Sequence, residues 1–267
     1  MVKNSEIFVL GGTHGNEPLG VALVDSLNKD PITDVDQVVA NEQAATLGER
    51  YIDTNLNWQT KPEDNSYEGR RLRWLMGRCA HAGVILDFHN AAASDRAEIW
   101  LPRPSEAVKP IARWLLERTG IRHVIVDSEG TPFYRGLPPS IMIELGLPEQ
   151  DYPEWERQQI EQWRKVLTEM AKVGLSHLDA RLSPDTTFSE IVTEPSREEA
   201  KRARLDSLPP FASYDPLPAE AAHALGLSPD NNYRVQSSHY RNFSPKVPGT
   251  AERAYWGTIV KDIDPVL

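Results

Sequence analysis

A glycine-rich segment near the start of the chain contains two side chains of types that bind metal ions. It reads Gly11-Gly12-Thr13-His14-Gly15-Asn16-Glu17 and follows the apolar run 7–10. Catalytic zinc commonly takes three protein ligands of the His and carboxylate types and keeps a fourth position for water. His14 and Glu17 can supply two of them, although a polar turn without a metal also explains this segment alone. A nucleotide-binding loop is disfavoured, because neither a Gly-Lys-Ser/Thr ending nor a Gly-x-Gly-x-x-Gly pattern is present.

A histidine at the end of a second apolar run can supply the third ligand. The run 84–88 continues into His89 and Asn90. Two ligands close in sequence and one distant is a normal arrangement for a zinc site, and Asp87 on the same strand face as His89 can orient it. The alternatives are a hydrogen-bonded histidine at the edge of the core and a purely structural hydrogen bond at Asp87.

A single carboxylate interrupts a third apolar run. Glu144 lies between Ile143 and Leu145, at the end of a strand-like segment. An unpaired carboxylate is costly to bury, so its surroundings should raise its pKa toward the range useful for general acid–base catalysis. The structural alternative is a glutamate paired with a nearby arginine.

The elements that would position these residues follow from the periodicity of the first 175 residues. Strand-like runs cover residues 7–10, 35–39, 84–88, 99–101, 124–126 and 141–143. Apolar residues recur at helical spacing over 19–27, 72–79, 108–115 and 160–170. Strands that alternate with helices predict an α/β sheet layered by helices. In open sheets of this kind, ligands bind outside the carboxyl ends of the strands.

The sequence after about residue 175 differs in composition and in periodicity. Prolines become frequent and helical periodicity fades, apart from a charged stretch at 196–204 that could form a short exposed helix. Short β-rich pieces remain at 233–235 and 255–260. We therefore predict an α/β domain over residues 1–175 and a small β-rich domain over 176–267.

Composition narrows the class of protein. The 267 residues are 40% hydrophobic and 25% charged, as in ordinary globular proteins, and carry a net charge of −10, which disfavours binding to nucleic acid or anionic membranes. The single cysteine, Cys79, excludes a disulfide framework within the chain and a cysteine-based zinc finger. No apolar run is long enough for a membrane span or a signal peptide, so a cytoplasmic location is expected.

Several motifs together resemble the aspartoacylase and succinylglutamate desuccinylase family of zinc amidohydrolases, relatives of the zinc carboxypeptidases. They are segment 11–17, Arg50-Tyr51-Ile52-Asp53 followed by Leu56-Asn57, Asp87-Phe88-His89-Asn90, and Ile143-Glu144-Leu145-Gly146. Their order and spacing are similar to the family's, and segment 252–255 is similar to one that carries a substrate-contacting tyrosine. The resemblance implies a zinc carboxypeptidase-like mixed sheet flanked by helices, with the smaller β-rich domain bordering the active site.

The resemblance also implies a role for each matching residue. These are the zinc ligands His14, Glu17 and His89, the general base Glu144, Arg50 at the scissile carbonyl, and the substrate-binding residues Asn57, Asn90 and Tyr255. One Zn²⁺ per chain would serve removal of an acyl group from a small-molecule N-acyl amino acid. A carboxypeptidase-type peptidase and a zinc- or ligand-binding protein without turnover are the alternatives. A homo-oligomer is compatible with the sequence.

One motif departs from the family in the residues that would recognise a carboxylate. The usual Asp-Leu-Asn-Arg is Asn55-Leu56-Asn57-Trp58 here, and Trp58 cannot form the two-pronged contact of an arginine. The second family arginine falls on Tyr134, although the neighbouring Arg135 could serve after a shift of one residue. We expect intact chemistry and a less acidic or more apolar amino-acid part of the substrate. Alternatively, Trp58 turns outward and packs under the second domain.

Overall fold

The computed structural model describes residues 6–91, 97–146, 152–193, 199, 215–228, 233–235 and 259–267. The strands are β1 (Ile7–Gly11), β2 (Val35–Val39), β3 (Val84–Ala91), β4 (Glu98–Pro102), β5 (His123–Asp127), β6 (Ser140–Gly146), β7 (Thr187–Thr193), β8 (Asp215–Pro216), β9 (Tyr233–Val235) and β10 (Ile259–Asp262). The helices are α1 (Pro18–Lys29), α2 (Glu42–Leu47), α3 (Tyr67–Cys79), α4 (Lys109–Thr119), α5 (Pro132–Arg135), α6 (Tyr152–Val173) and α7 (Ala219–Ala224).

All described strands join one mixed sheet in the order β2-β1-β3-β6-β4-β5-β7-β10-β9-β8. Strands β2, β1, β3 and β6 are parallel, and β4 runs antiparallel to β6. Strands β4, β5 and β7 are again parallel to one another, and the remaining pairs are antiparallel. The predicted mixed α/β sheet flanked by helices is thus confirmed. The carboxyl ends of β1, β3 and β6 meet at one edge, beside the reversal of direction between β6 and β4.

The two faces of the sheet bury different residues. On the apolar face, residues such as Val9, Leu86 and Ile143 pack against α1, α4 and α6. The opposite face packs Leu10 and other apolar residues against α3 and α5. Because side chains alternate along a strand, this second face also receives four polar residues at its edge. We call this second face the polar face because its edge carries Asp87, His89, Glu98 and Glu144.

Most predicted elements of the first 175 residues are confirmed, with shifts at their ends. Strand β3 extends to Ala91, so His89 lies within the strand rather than after it. Helices α2 and α5 were not predicted, and neither were β7, β8 and α7 farther along the chain. None of the described helices is long and apolar enough to cross a membrane.

The described residues of the C-terminal part form four strands and one α-helix. Strands β7 to β10 continue the sheet of the N-terminal part, and the division into domains at residue 175 stays a prediction. The predicted β-rich pieces correspond to β9 and β10. Of the charged stretch 196–204, all but Glu199 lies outside the described residues, as do 255–258.

Candidate active site

Close packing of two glycines places the glycine-rich segment over the sheet. A Cβ atom on Gly11 would lie 2.0 Å from the carbonyl oxygen of Gly20, so α1 can approach β1 only with glycine at this contact. Gly12 then turns the chain with a φ of 66°, a left-handed conformation that favours glycine. Pro18 starts α1 one residue after Glu17, whose side chain does not cap the helix. The carboxylate of Glu17 is therefore free to serve the site.

His14, Glu17 and His89 form a buried cluster of metal-ligand type. Nδ1 of His14 lies 2.7 Å from Oε1 of Glu17, and Nδ1 of His89 lies 2.9 Å from Oε2. One potential ligand atom from each residue lies within 4.8 Å of the other two. The structure therefore brings together the three residues expected to bind the metal.

The other ring nitrogen of each histidine faces an oxygen acceptor. Nε2 of His14 lies 2.8 Å from Oδ1 of Asn57 and 3.2 Å from Oδ1 of Asn55. Nε2 of His89 lies 3.2 Å from Oδ2 of Asp87, although this contact is not aligned as a hydrogen bond. A histidine that carries its proton on Nε2 has a lone pair on Nδ1. With Nε2 protonated, both rings would present Nδ1 to a cation next to Glu17, and for His14 this requires the Nη2 group of Arg50, 3.1 Å from Nε2, to turn away.

The three cluster residues shift one another's protonation. Despite burial, which acts in the opposite direction, the charges of His14 and His89 hold the pKa of Glu17 well below its usual value. Burial and the charge of Arg50 lower the pKa of His14. Although burial lowers it, the carboxylates of Asp87 and Glu17 raise the pKa of His89 well above its usual value. Below this raised pKa, a cation that binds at His89 must displace a proton.

Arg50 and Glu144 approach the cluster from two sides. Nη1 of Arg50 lies 3.2 Å from Oε1 of Glu17, and Nη2 lies 3.1 Å from Nε2 of His14. Glu144 stands opposite His89 across the parallel β3–β6 pair. Burial, followed by the charges of neighbours including Glu17 and Glu98, raises the pKa of Glu144 to about 8. Both residues therefore lie close to the cluster, and the roles expected for them stay predictions.

Glu98 is a buried carboxylate that the sequence analysis missed. It stands opposite Glu144 across the antiparallel β4–β6 pair, and its Oε2 accepts a hydrogen bond of 3.0 Å from Nε1 of Trp100. The ring of Trp100 in turn meets the half-buried ring of Trp58 edge to face, with centroids 6.5 Å apart. The signal in the sequence was a lone glutamate directly before the apolar run 99–101.

Of the remaining predicted residues that the structure describes, Asn57 and Asn90 contact the cluster, whereas Arg135 does not. Asn57 contacts His14 through Oδ1, whereas its buried Nδ2 has no hydrogen bond among the described residues. Asn90 supports the cluster, because its backbone N–H donates to Glu17 and its Oδ1 accepts from the backbone of Leu19. Arg135 is exposed and donates to the carbonyl oxygen of Glu129; no described hydrogen bond or ion pair joins it to the cluster.

Two buried hydroxyl groups contact Asp87, next to the cluster. The hydroxyl groups of Tyr134 and Thr13 both donate to Asp87, contacts that the sequence analysis did not predict. Tyr255 lies outside the described residues, so its substrate contact stays a prediction.

Comparisons with known proteins agree on one family. Residues 3–169 match the family model for the succinylglutamate desuccinylase/aspartoacylase catalytic domain. The chain is 33% identical over 111 residues to a probable aspartoacylase of Trichodesmium erythraeum (strain IMS101), covering 35% of this chain and 38% of the relative. It is 29% identical over 129 residues to the N-acyl-aromatic-L-amino acid amidohydrolase (carboxylate-forming) of Xenopus laevis, covering 42% of each. The chain thus matches less than half the length of either relative.

Solved structures share the fold at low sequence identity. The succinylglutamate desuccinylase of Chromobacterium violaceum is similar with a TM-score of 0.68 and 15% identity, over 100% of this chain and 87% of that chain. Murine aminoacylase 3 is similar with a TM-score of 0.51 and 21% identity, over 63% of this chain and 64% of that chain. At this identity the likeness supports the fold alone.

Proposed function

Because the chain belongs to the succinylglutamate desuccinylase and aspartoacylase family, we propose that it is a zinc-dependent amidohydrolase that removes the acyl group from a small N-acyl amino acid. The observation that carries the proposal is the buried His14–Glu17–His89 cluster at the carboxyl ends of β1 and β3. Two imidazole nitrogens and one carboxylate are a usual protein ligand set of catalytic zinc. The residues present therefore fit this ion.

Glu144 is the proposed proton carrier. A bound zinc ion would act as a Lewis acid on the scissile carbonyl and lower the pKa of a water ligand. Glu144 would take a proton from the attacking water onto its carboxylate and later give it to the leaving amine nitrogen. Without a cation, a pKa of about 8 keeps Glu144 protonated at neutral pH. The positive charge of a bound cation would lower this pKa toward neutrality.

Arg50 is the proposed electrostatic partner of the carbonyl oxygen. Its guanidinium group lies next to Glu17 and His14, with its side chain 27% exposed, so it borders both the cluster and solvent. A positioned cation that faces the developing negative charge contributes roughly 3–4 kcal/mol to transition-state stabilisation if it acts like other oxyanion donors. Asn57, whose Nδ2 is buried beside His14 without a hydrogen bond, is proposed to donate to the substrate.

The aromatic pair Trp58–Trp100 supports a substrate whose amino-acid part is less acidic than aspartate. Trp58 offers a large apolar face and one N–H donor, and it cannot hold a carboxylate as an arginine does. Arg135, the other predicted cation, donates away from the cluster. The name of the Xenopus laevis relative specifies N-acyl-aromatic amino acids, which is consistent with this preference. We therefore propose neutral or aromatic N-acyl amino acids as substrates.

A substrate panel tests the proposed function. Purified protein would be assayed on N-acetylated aspartate, leucine, phenylalanine and tyrosine and on short peptides, with and without a zinc chelator. We expect chelator-sensitive hydrolysis of the N-acetylated amino acids. Cleavage of peptides alone would favour a zinc peptidase, and zinc binding without turnover would favour a binding protein. Homo-oligomerisation and a cytoplasmic location stay predictions from the sequence.

A further inference from the structure

We propose that the hydroxyl groups of Tyr134 and Thr13 are positioning groups that lock the carboxylate of Asp87 and, through it, the ring of His89. The inference rests on the proposed metal site. The two hydroxyl groups donate to Asp87 and not to His14, Glu17 or His89. Both would act by keeping Nδ1 of His89 directed at Glu17 and the ion.

The carboxylate of Asp87 is held from two directions. Its Oδ1 accepts from the hydroxyl of Thr13 at 2.8 Å, and its Oδ2 accepts from the hydroxyl of Tyr134 at 2.8 Å. The same Oδ2 lies 3.2 Å from Nε2 of His89. Asp87, Thr13 and Tyr134 are all buried, so solvent does not compete for these hydrogen bonds. Oδ2 is thus shared between one fixed donor and the histidine ring.

The three contributors come from separate parts of the chain. Asp87 belongs to β3, Thr13 follows β1, and Tyr134 lies in the short helix α5. Tyr134 packs edge to face on Phe133, with ring centroids 4.9 Å apart, so its hydroxyl group is held by the packing of α5 on the polar face. The carboxylate therefore cannot turn without breaking contacts to two independent segments.

The orientation of His89 depends on this carboxylate more than that of His14 depends on its partners. Nε2 of His14 lies within 3.2 Å of two amide oxygens, those of Asn55 and Asn57. By contrast, Asp87 is the only described acceptor near Nε2 of His89, and the contact is 3.2 Å long and not aligned as a hydrogen bond. A small rotation of the carboxylate would lengthen the contact further. Hydrogen-bond partners of metal-binding histidines fix ring orientation and strengthen metal binding.

The test removes single hydroxyl groups and measures zinc affinity. Tyr134→Phe and Thr13→Val each delete one donor to Asp87, whereas Thr13→Ser keeps it. Tyr152→Phe is the matched control, because it removes another phenol hydroxyl, on α6, which packs against the apolar face. The zinc dissociation constant would be measured by competition with a chelating dye, and the Co²⁺-loaded proteins would be compared by visible absorption. Circular dichroism and thermal unfolding would establish that each variant is folded.

We expect Tyr134→Phe and Thr13→Val to weaken zinc binding on the order of tenfold each and to alter the Co²⁺ spectrum. Thr13→Ser and Tyr152→Phe should stay within about twofold of wild type. A lower melting temperature with unchanged zinc affinity and an unchanged Co²⁺ spectrum in both deletion variants would overturn the inference and leave a structural role only. If Tyr134→Phe does not fold, the pair Thr13→Val and Thr13→Ser decides. Failure of the wild type to bind zinc would instead overturn the metal site itself, and this inference with it.

Discussion

The apolar and polar faces of the sheet are built from the same strands but bury different chemistry. In β3, Leu86 and Phe88 belong to the core under α1, α4 and α6, whereas Asp87 and His89 alternate with them on the opposite face. In β6, Ile143 and Glu144 divide in the same way. Adjacent residues therefore serve separate purposes: the apolar face stabilises the sheet, and the polar face at its carboxyl edge carries the proposed reaction.

The division between the two faces predicts that function and stability can be lost independently of each other. Glu144→Gln keeps the shape of the side chain but removes proton transfer, so kcat should fall on the order of 10²–10⁴-fold. Leu167→Ala, on α6 and fully buried under the apolar face, should instead lower the free energy of unfolding by about 2–5 kcal/mol. Thermal unfolding and steady-state kinetics on the same preparations measure both quantities.

Two controls check that Glu144→Gln affects only turnover and that Leu167→Ala affects only stability. Glu117→Gln, an exposed substitution of the same type on α4, should change neither quantity. Leu167→Ala should keep the turnover of each folded molecule close to wild type. A Glu144→Gln variant with near-normal kcat, or one that loses stability as Leu167→Ala does, would contradict the division between the two faces.

The zinc affinity of the polar face should depend on pH. Neighbouring carboxylates raise the pKa of His89 above its ordinary value near 6.5, so below that raised pKa the metal-free site holds a proton on His89. Zinc must displace this proton, and the apparent affinity should fall about tenfold for each unit of decreasing pH in that range. The expected sign is tighter binding as pH rises, until His89 is deprotonated in the metal-free protein.

Isothermal titration of zinc at several pH values, in buffers of different ionisation enthalpy, would measure both the affinity and the number of protons released. We expect close to one proton released per ion at pH values below the raised pKa of His89. Binding that is independent of pH between 6 and 8 would show that no protonated histidine opposes the ion.

A smaller effect is expected at the rim of the polar face, where Trp58 packs on Trp100. Trp58→Arg should shift the ratio of kcat/KM toward N-acetyl-aspartate, relative to N-acetyl-phenylalanine, by about tenfold, or ~1.4 kcal/mol. The physical reason is that an arginine offers two charge-assisted hydrogen bonds to a carboxylate. Trp74→Arg, at an exposed position on α3, is the matched control. A wild type that already prefers N-acetyl-aspartate strongly, and is only harmed by Trp58→Arg, would refute this specificity argument.

The local part of the site could be predicted from the sequence. Segment 11–17 joins a strand to a helix within a few residues, so its turn glycines and the pair His14 and Glu17 were visible together. His89 and Glu144 were visible because polar residues are rare in apolar strands. Their assembly followed from one rule, that parallel strands bring their carboxyl ends to a common edge.

The rest depends on contacts between distant segments. Glu98 meets Glu144 only because β4 pairs antiparallel with β6, and no local pattern specified that pairing. Tyr134 lies in α5, a helix of four residues that is too short to show periodicity, and its contact with Asp87 spans 47 positions. Similarly, the strand signal at β3 ended with its apolar run, because hydropathy does not report the backbone hydrogen bonds that extend it to Ala91.

The most direct test of the central claim is the zinc content of the purified protein, measured by inductively coupled plasma mass spectrometry after dialysis against zinc and then against metal-free buffer. We predict about one zinc per chain for wild type and for His81→Ala, an exposed histidine outside the site. His14→Ala and His89→Ala should lose the ion, and hydrolysis of N-acyl amino acids should disappear with it. Full zinc occupancy in both His14→Ala and His89→Ala would contradict the proposed metal centre.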